Sequence, residues 1–590
     1  MYPFFKTVVT LSQNRINLKN YFPILNWIKD YKLVYLKSDL IAGLTVSILL
    51  IPQGMAYALI AGLPPIYGLY AALVPQIVYA FLGTSRKLAV GPVAMDSLLV
   101  AAGLSALSII EPNQYIEMAI LLALLMGLIQ FSLGILRMGF IVAFLSKPVI
   151  SGFTSAAAII IGLSQMKHLI GIPLPQSNKI HVVIKTFFEA ESAIHYPTLL
   201  IGIVSILILV LIRKWNKKIP ASLVVVALSI SWIYFTGQIE KGVAVVGLIP
   251  EGLPSFRIPS LNWEIIQTLT PTAITLALVA YMEAISIAKA IEEKHKDDKI
   301  NPNQELIALG ASNIVGSFFQ SYPTTGGFSR TAVNDQAGAK TGVSALVTAA
   351  LIALVLSFFT HWFYYLPKAV LSAIIMINVF KLINFKFAAR LYKTKREEFV
   401  VLILTFLLTL FVGITEGILL GIVISLFLLV YRTSKPHYAF LGRIGETNYF
   451  KNKDRFPEEV EDRRDLIIFR FDAQLFFGNI QYFKTIIFNA VNKNPDIVKG
   501  FVINARAINY IDSTSTEQLT QIIKTLQNKG IRVMIVGAIG PARDVILKSK
   551  IITVLKKQNL FITSGDATDS FDGVCKKTLL QKKLTRQSNE

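Results

Sequence analysis

The sequence predicts a polytopic α-helical membrane protein followed by a small α/β domain. Three observations carry this. The 590 residues are 53% hydrophobic and only 16% charged, with a mean hydropathy of +0.56, a balance foreign to soluble multidomain proteins. About fourteen apolar segments precede residue 433, most of them near the length that crosses a bilayer. Two segments are short and open at glycine-rich breaks, Gly91-Pro92-Val93-Ala94 and Gly326-Gly327-Phe328-Ser329-Arg330. Non-helical backbone is tolerated at membrane depth only inside protein or beside a water-filled cavity.

The segments run approximately 39–62, 66–83, 92–107 (short), 115–136, 139–167 (broken near Lys147 and Pro148), 196–213, 219–236, 268–291, 303–319, 329–337 (short), 342–360, 365–383, 397–413 and 415–432. The short ones are third in each set of seven. That regularity implies two seven-segment repeats, about 39–236 and 268–432, and an odd number inverts the second in the membrane. The competing reading of each short segment is an ordinary helix containing a glycine. An even total leaves both termini on one side, and the basic arm and tail assign that side to the cytoplasm of a cell membrane.

The chain divides into an arm (1–38), the membrane region (39–432), a connector with a first edge strand (433–464), an α/β domain (465–575) and a loose tail (576–590). Within the α/β domain, Asp465–Phe471, Gly500–Asn504 and Ile531–Val536 read as strands, and Ile480–Val491, Ser515–Gln527 and Pro541–Lys548 as amphipathic helices between them. Alternation of this kind implies a largely parallel sheet.

The formal charge of +22 falls mainly on the arm, the short loops and the region after Tyr431, which suits cytoplasmic faces and not nucleic acid. The first 38 residues show no signal-peptide pattern. A lone cysteine, Cys575, excludes disulfide scaffolds and cysteine-based zinc clusters and reads as a free thiol. The histidines, His168 among them, lack metal-ligand spacing, so neither a metal nor a cofactor is expected. No nucleophile with an adjacent base and no phosphate-binding loop supports an enzyme.

An ordered series of motifs then identifies a resemblance. Asp39-Leu-Ile-Ala-Gly-Leu-Thr-Val46, Ile51-Pro-Gln-Gly-Met-Ala-Tyr-Ala58, Leu63-Pro-Pro-Ile-Tyr-Gly-Leu-Tyr70, Gly83-Thr-Ser-Arg86 and Gly91-Pro92 lead through Glu283 to Gly327-Phe-Ser-Arg-Thr331. Together they resemble the sulfate permease (SulP) family, whose animal branch contains pendrin and prestin. The C-terminal Asp512-Ser513-Thr514 region is similar to a STAS domain. The resemblance implies a seven-plus-seven transporter in which segments one to four and eight to eleven form a core that moves against a gate. Secondary transport of sulfate or a similar small anion by proton symport is the leading expectation. Sodium-coupled bicarbonate transport, dicarboxylate transport, anion exchange and an anion sensor signalling through the STAS domain are the alternatives. The STAS-like domain is expected to support homodimer assembly, trafficking or partner docking.

The residues expected to carry the chemistry lie at the two breaks. Pro92 suits a first helical turn, leaving the amides of Val93 and Ala94 free, and Ser329 and Arg330 would do the same opposite, with the Ser329 hydroxyl an added donor or a cap. Two helix N-termini beside a guanidinium make an anion site. Arg330 is costly in a bilayer without a partner, and Glu283 is the expected one, as a proton acceptor or a static salt bridge. Gln53 and Tyr57 share a helix face, and the resemblance puts them in the cavity wall. Phe328 is a similar candidate, with core packing its alternative. Asp96, one turn into the first short helix, is a possible second proton or cation site. Ser513 and Thr514 open a helix, where capping competes with phosphorylation.

Overall fold

The computed structural model describes residues 22–105, 107, 111–140, 146–172, 194–216, 219–295, 299–445, 447–461 and 463–574; Cys575, the tail and most of the arm lie outside them. Among the described residues, helices stand at each of the fourteen expected segments: α1 Leu33–Ile60, α2 Pro65–Leu82, α3 Ala94–Ser105, α4 Pro112–Ile135, α5 Lys147–Ile170, α6 Tyr196–Trp215, α7 Ala221–Thr236, α8 Trp263–His295, α9 Pro302–Phe318, α10 Phe328–Gln336, α11 Val343–Phe358, α12 Lys368–Val379, α13 Arg396–Phe411 and α14 Ile414–Ser434. By length and composition, eight of the described helical stretches can cross a membrane unaided.

Prolines explain many of the starts. Pro65, Pro112, Pro148, Pro197 and Pro302 occupy the first turns of α2, α4, α5, α6 and α9, where the missing N–H costs nothing. Of the segment expected over 139–167, the helix starts at Lys147 with Pro148 in its first turn, while residues 141–145, on the other side of the expected break, lie outside the described residues. Asn301 caps α9, its side chain accepting from the Asn303 and Gln304 amides. One element was unforeseen, a short amphipathic helix Phe385–Thr394 ahead of α13.

Packing separates the helices into two groups. In one, α4 lies along α9 and α8, α1 along α2 and α11, α2 along α9, and α3 on α8. Small residues permit the closest approaches: a Cβ on Gly310 would stand 2.5 Å from the Phe131 amide nitrogen. In the other group, α5 packs on α12 and α13, and α6 on α12 and α7. These are the core and the gate.

The second compact unit, Leu426–Glu590, holds a six-stranded sheet of order β4-β3-β5-β6-β7-β8. Its strands are β3 Tyr438–Arg443, β4 Phe450–Asn452, β5 Leu466–Phe471, β6 Gly500–Asn504, β7 Arg532–Val536 and β8 Leu560–Phe561. β5 to β8 are parallel, while β3 runs antiparallel between β4 and β5. The connector is thus part of the sheet: β3 is internal and β4 is the edge. Side chains alternate between faces, so Phe469, Phe501 and Val533 enter one core and Ile468, Val502 and Met534 the other.

Candidate functional site

The short segments are joined by a feature the sequence did not announce. Val90–Gly91 (β1) and Thr325–Gly326 (β2) form an antiparallel pair, Val90 opposite Gly326 and Gly91 opposite Thr325. Antiparallel pairing of corresponding residues is what inverted repeats require at their shared axis. Each strand feeds a half-helix, α3 or α10. The Asn313 carboxamide holds Thr324 at 2.8 Å, the Thr325 hydroxyl donates to the Ala280 carbonyl at 2.7 Å, and the Gly327 amide donates to Ala89 at 3.0 Å.

Both half-helices begin with free amides. The first backbone bonds run from Ser97 to Val93 (3.0 Å) and from Thr331 to Gly327 (2.9 Å), leaving Ala94, Met95 and Asp96 on α3, and Phe328, Ser329 and Arg330 on α10, without backbone acceptors. Ser329 is not the cap. Gly327 occupies that position, and no side chain caps α10. Ser329 and Phe328 instead face open space, Phe328 with 66% of its surface exposed, which corrects core packing as its role.

Arg330 is 2% exposed. Its Nη1 donates to the Pro92 carbonyl at 2.7 Å, tying one half-helix start to the other, while Nε and Nη2 are buried without partners. A Cβ on Gly327 would lie 2.6 Å from Nη2, so glycine is what lets the guanidinium lie across the strand end. Glu283 forms no ion pair with Arg330 among the described residues, and its Oε2 is buried and unpartnered. A static salt bridge is therefore corrected; the two groups interact only at longer range.

The remaining candidates converge here. Tyr57 feels the charges of both Arg330 and Glu283. Gln53, 1% exposed, has an unpartnered Oε1. Asp96 is fully buried, neither carboxylate oxygen has a donor, and it interacts electrostatically with Glu283 and Arg330. Buried polar atoms are ordinarily satisfied, and this concentration of unused donors and acceptors is one that a bound ligand can satisfy. Val93 and Ala94 line the same α3 start. Ser513 and Thr514 belong to the second compact unit, exposed on the first turn of the helix Ser513–Asn528, which Asp512 caps through the Ser515 amide at 2.7 Å.

Other intramembrane carboxylates, left unassigned from sequence, are structural. Asp39 accepts from the Lys340 and Thr341 amides and fixes the start of α11. Glu305 accepts from the Tyr79 hydroxyl and the Thr84 amide, clamping the loop into β1. Asp335, at the end of α10, meets Lys87 at 2.9 Å, with Lys294 and His295 beside it. The available signal was a charge in an apolar segment, which demands a partner.

A guanidinium between two helix N-termini, inside a bundle of broken and continuous spans, is the architecture of a multi-pass anion carrier. Residues 36–405 match the sulfate permease family and residues 458–567 the STAS domain. The chain belongs to the sulfate permease family; it is a membrane transporter of anions and not an enzyme. Probable sulfate transporter 4.2 of Arabidopsis thaliana is 37% identical over 567 residues, covering 92% of this chain and 83% of that protein. In fold, the murine Solute Carrier 26 family member A9 anion transporter, solved in an inward-facing state, matches with a TM-score of 0.87 at 23% identity, over 97% of this chain and 98% of that one. The transmembrane domain of the cyanobacterial bicarbonate transporter BicA matches with a TM-score of 0.58 at 21% identity, over 67% and 98%.

Proposed function

We propose that the protein carries sulfate into the cytoplasm by proton symport, through movement of the core against the gate. The observation that supports this most is Arg330: two buried guanidinium nitrogens without partners, beside two sets of free helix-start amides. Sulfate supplies the matching acceptors. Gln53 and Tyr57 close the site from α1, Val93 and Ala94 from α3, Phe328 and Ser329 from α10. The sulfate transporters among the relatives favour this anion over bicarbonate or a dicarboxylate.

A dianion moving against about 100 mV, inside negative, costs roughly 4.6 kcal/mol at about 2.3 per charge. Two protons cancel that charge, and two unpartnered carboxylates stand beside Arg330 to receive them. Glu283 takes up the coupling proton, which removes a negative charge from the surroundings of the bound anion, and Asp96 is the second acceptor. The termini face the cytoplasm, and the STAS domain supports a homodimer, with Ser513 and Thr514 open to a kinase.

The test is sulfate uptake into proteoliposomes under imposed pH, sodium and voltage gradients. Accumulation should follow the pH gradient, and Glu283→Gln should abolish that dependence while counterflow of labelled sulfate persists. Gradient-driven accumulation that survives in Glu283→Gln removes the coupling role.

A further inference from the structure

The gate contains an arginine of its own. Arg213 lies in the last turn of α6 and donates from Nη2 to the Asn378 Oδ1 of α12 at 2.9 Å. That bond uses one donor of the guanidinium and the only acceptor of the carboxamide. Arg213 Nη1 and Asn378 Nδ2 are both buried and without a partner. Two adjacent donors without an acceptor are expensive where water is scarce. A snorkelling arginine would not show this, because its nitrogens would reach the membrane surface.

The pair also adjoins the route of the anion. α12 packs on α1 as well as on α6, and Tyr57 of α1 interacts electrostatically with Arg213 as it does with Arg330. Lys381, just beyond α12, adds positive potential at Arg213. No carboxylate pairs with Arg213 among the described residues, so the local field favours an anion. Tyr57 therefore interacts with a cationic group of the core and with one of the gate.

We propose that Arg213 and Asn378 form a second oxyanion station, on the gate, that receives the tetrahedral dianion in exchange with Arg330. This deepens the sulfate-carrier reading and rests on it. Asn378 orients the guanidinium, and Arg213 Nη1 and Asn378 Nδ2 donate to two oxygens of one anion. A handover between core and gate gives their relative motion a consequence for the bound ion, since the anion can be shared only while the two stations face each other.

The experiment measures sulfate uptake kinetics in proteoliposomes for the unaltered protein and for Arg213→Gln, Arg213→Lys and Asn378→Leu. The expected result is a KM for sulfate raised about tenfold or more in Arg213→Gln and Asn378→Leu, the scale of losing a hydrogen bond to a charged group, with partial recovery in Arg213→Lys. Unchanged KM in both Arg213→Gln and Asn378→Leu overturns the station. If Arg213→Gln does not fold, Asn378→Leu decides alone. A lipid phosphate is the other source of this chemistry: KM unaltered, with thermal stability that depends on lipid headgroup in the unaltered protein and not in Arg213→Gln, assigns the pair to lipid and overturns the proposal. Sulfate uptake absent from the unaltered protein overturns the carrier reading and the station together, whereas intact uptake with indifferent variants sinks the station alone.

Discussion

The two half-helices occupy equivalent places in the inverted repeats yet are built from opposite materials. α3 is apolar along most of its length, Ala94-Met-Asp-Ser-Leu-Leu-Val, with one polar pair tying it across the site, the Ser97 and Tyr322 hydroxyls at 3.0 Å. α10 is polar at six of its nine positions, Phe328-Ser-Arg-Thr-Ala-Val-Asn-Asp-Gln336, and bolted at several points. The Thr331 hydroxyl accepts from the Ala89 amide at 3.0 Å, the Asn334 carboxamide donates to the Lys87 carbonyl at 2.9 Å, and Asp335 holds Lys87. The difference separates a shared scaffold from unshared chemistry. Pseudo-symmetry brings two helix N-termini to one place, but only α10 bears the cation, and only α3 bears a carboxylate in its first turn. A charge fixed in a membrane must be held by a network, and α10 has one.

The comparison can be broken most severely at Arg330. Arg330→Gln removes the cation and leaves the two dipoles, so sulfate uptake should fall by about a hundredfold or more, the scale of a lost charged contact in a water-poor site; near-normal uptake would show that helix ends alone suffice. Gly327→Ala keeps the charge but moves it, because the added methyl meets the guanidinium. Its KM for sulfate should rise about tenfold, in keeping with the sensitivity of positioned groups to displacements near 1 Å. Asp335→Asn leaves the site residues in place and loosens their support. Removing one partner from a buried ion pair costs about 3 kcal/mol or more, so the thermal midpoint of the solubilised protein should drop clearly while the KM for sulfate changes least of the three.

Legibility varied with how local the cause was. Helix starts at Pro65, Pro112 and Pro302 could be read directly, since proline acts on its own turn. At Pro148 the same residue type can interrupt a helix interior or open a first turn, and only its neighbours decide which; here it sits in the first turn of α5. Arg330 and Glu283 were both recognised as intramembrane charges, but their relation was misjudged. The sequence offers no means of telling that the Pro92 carbonyl, 238 residues away, would accept a hydrogen bond from the guanidinium. Asp335, Glu305, Asp39 and Arg213 carried the same signal of charge in apolar surroundings, without any local hint of a partner.

By itself the sequence determined how many segments enter the membrane, which two stop halfway, and that a parallel sheet follows, because hydropathy, periodicity and backbone restriction act over a few residues at a time. Tertiary structure alone decided that the two breaks meet as paired strands, that Arg330 leaves Glu283 unpaired, and that a second arginine on the gate joins the same electrostatic field. Those facts depend on contacts between residues hundreds of positions apart, where the energy of pairing is set by geometry that no short stretch of chain contains.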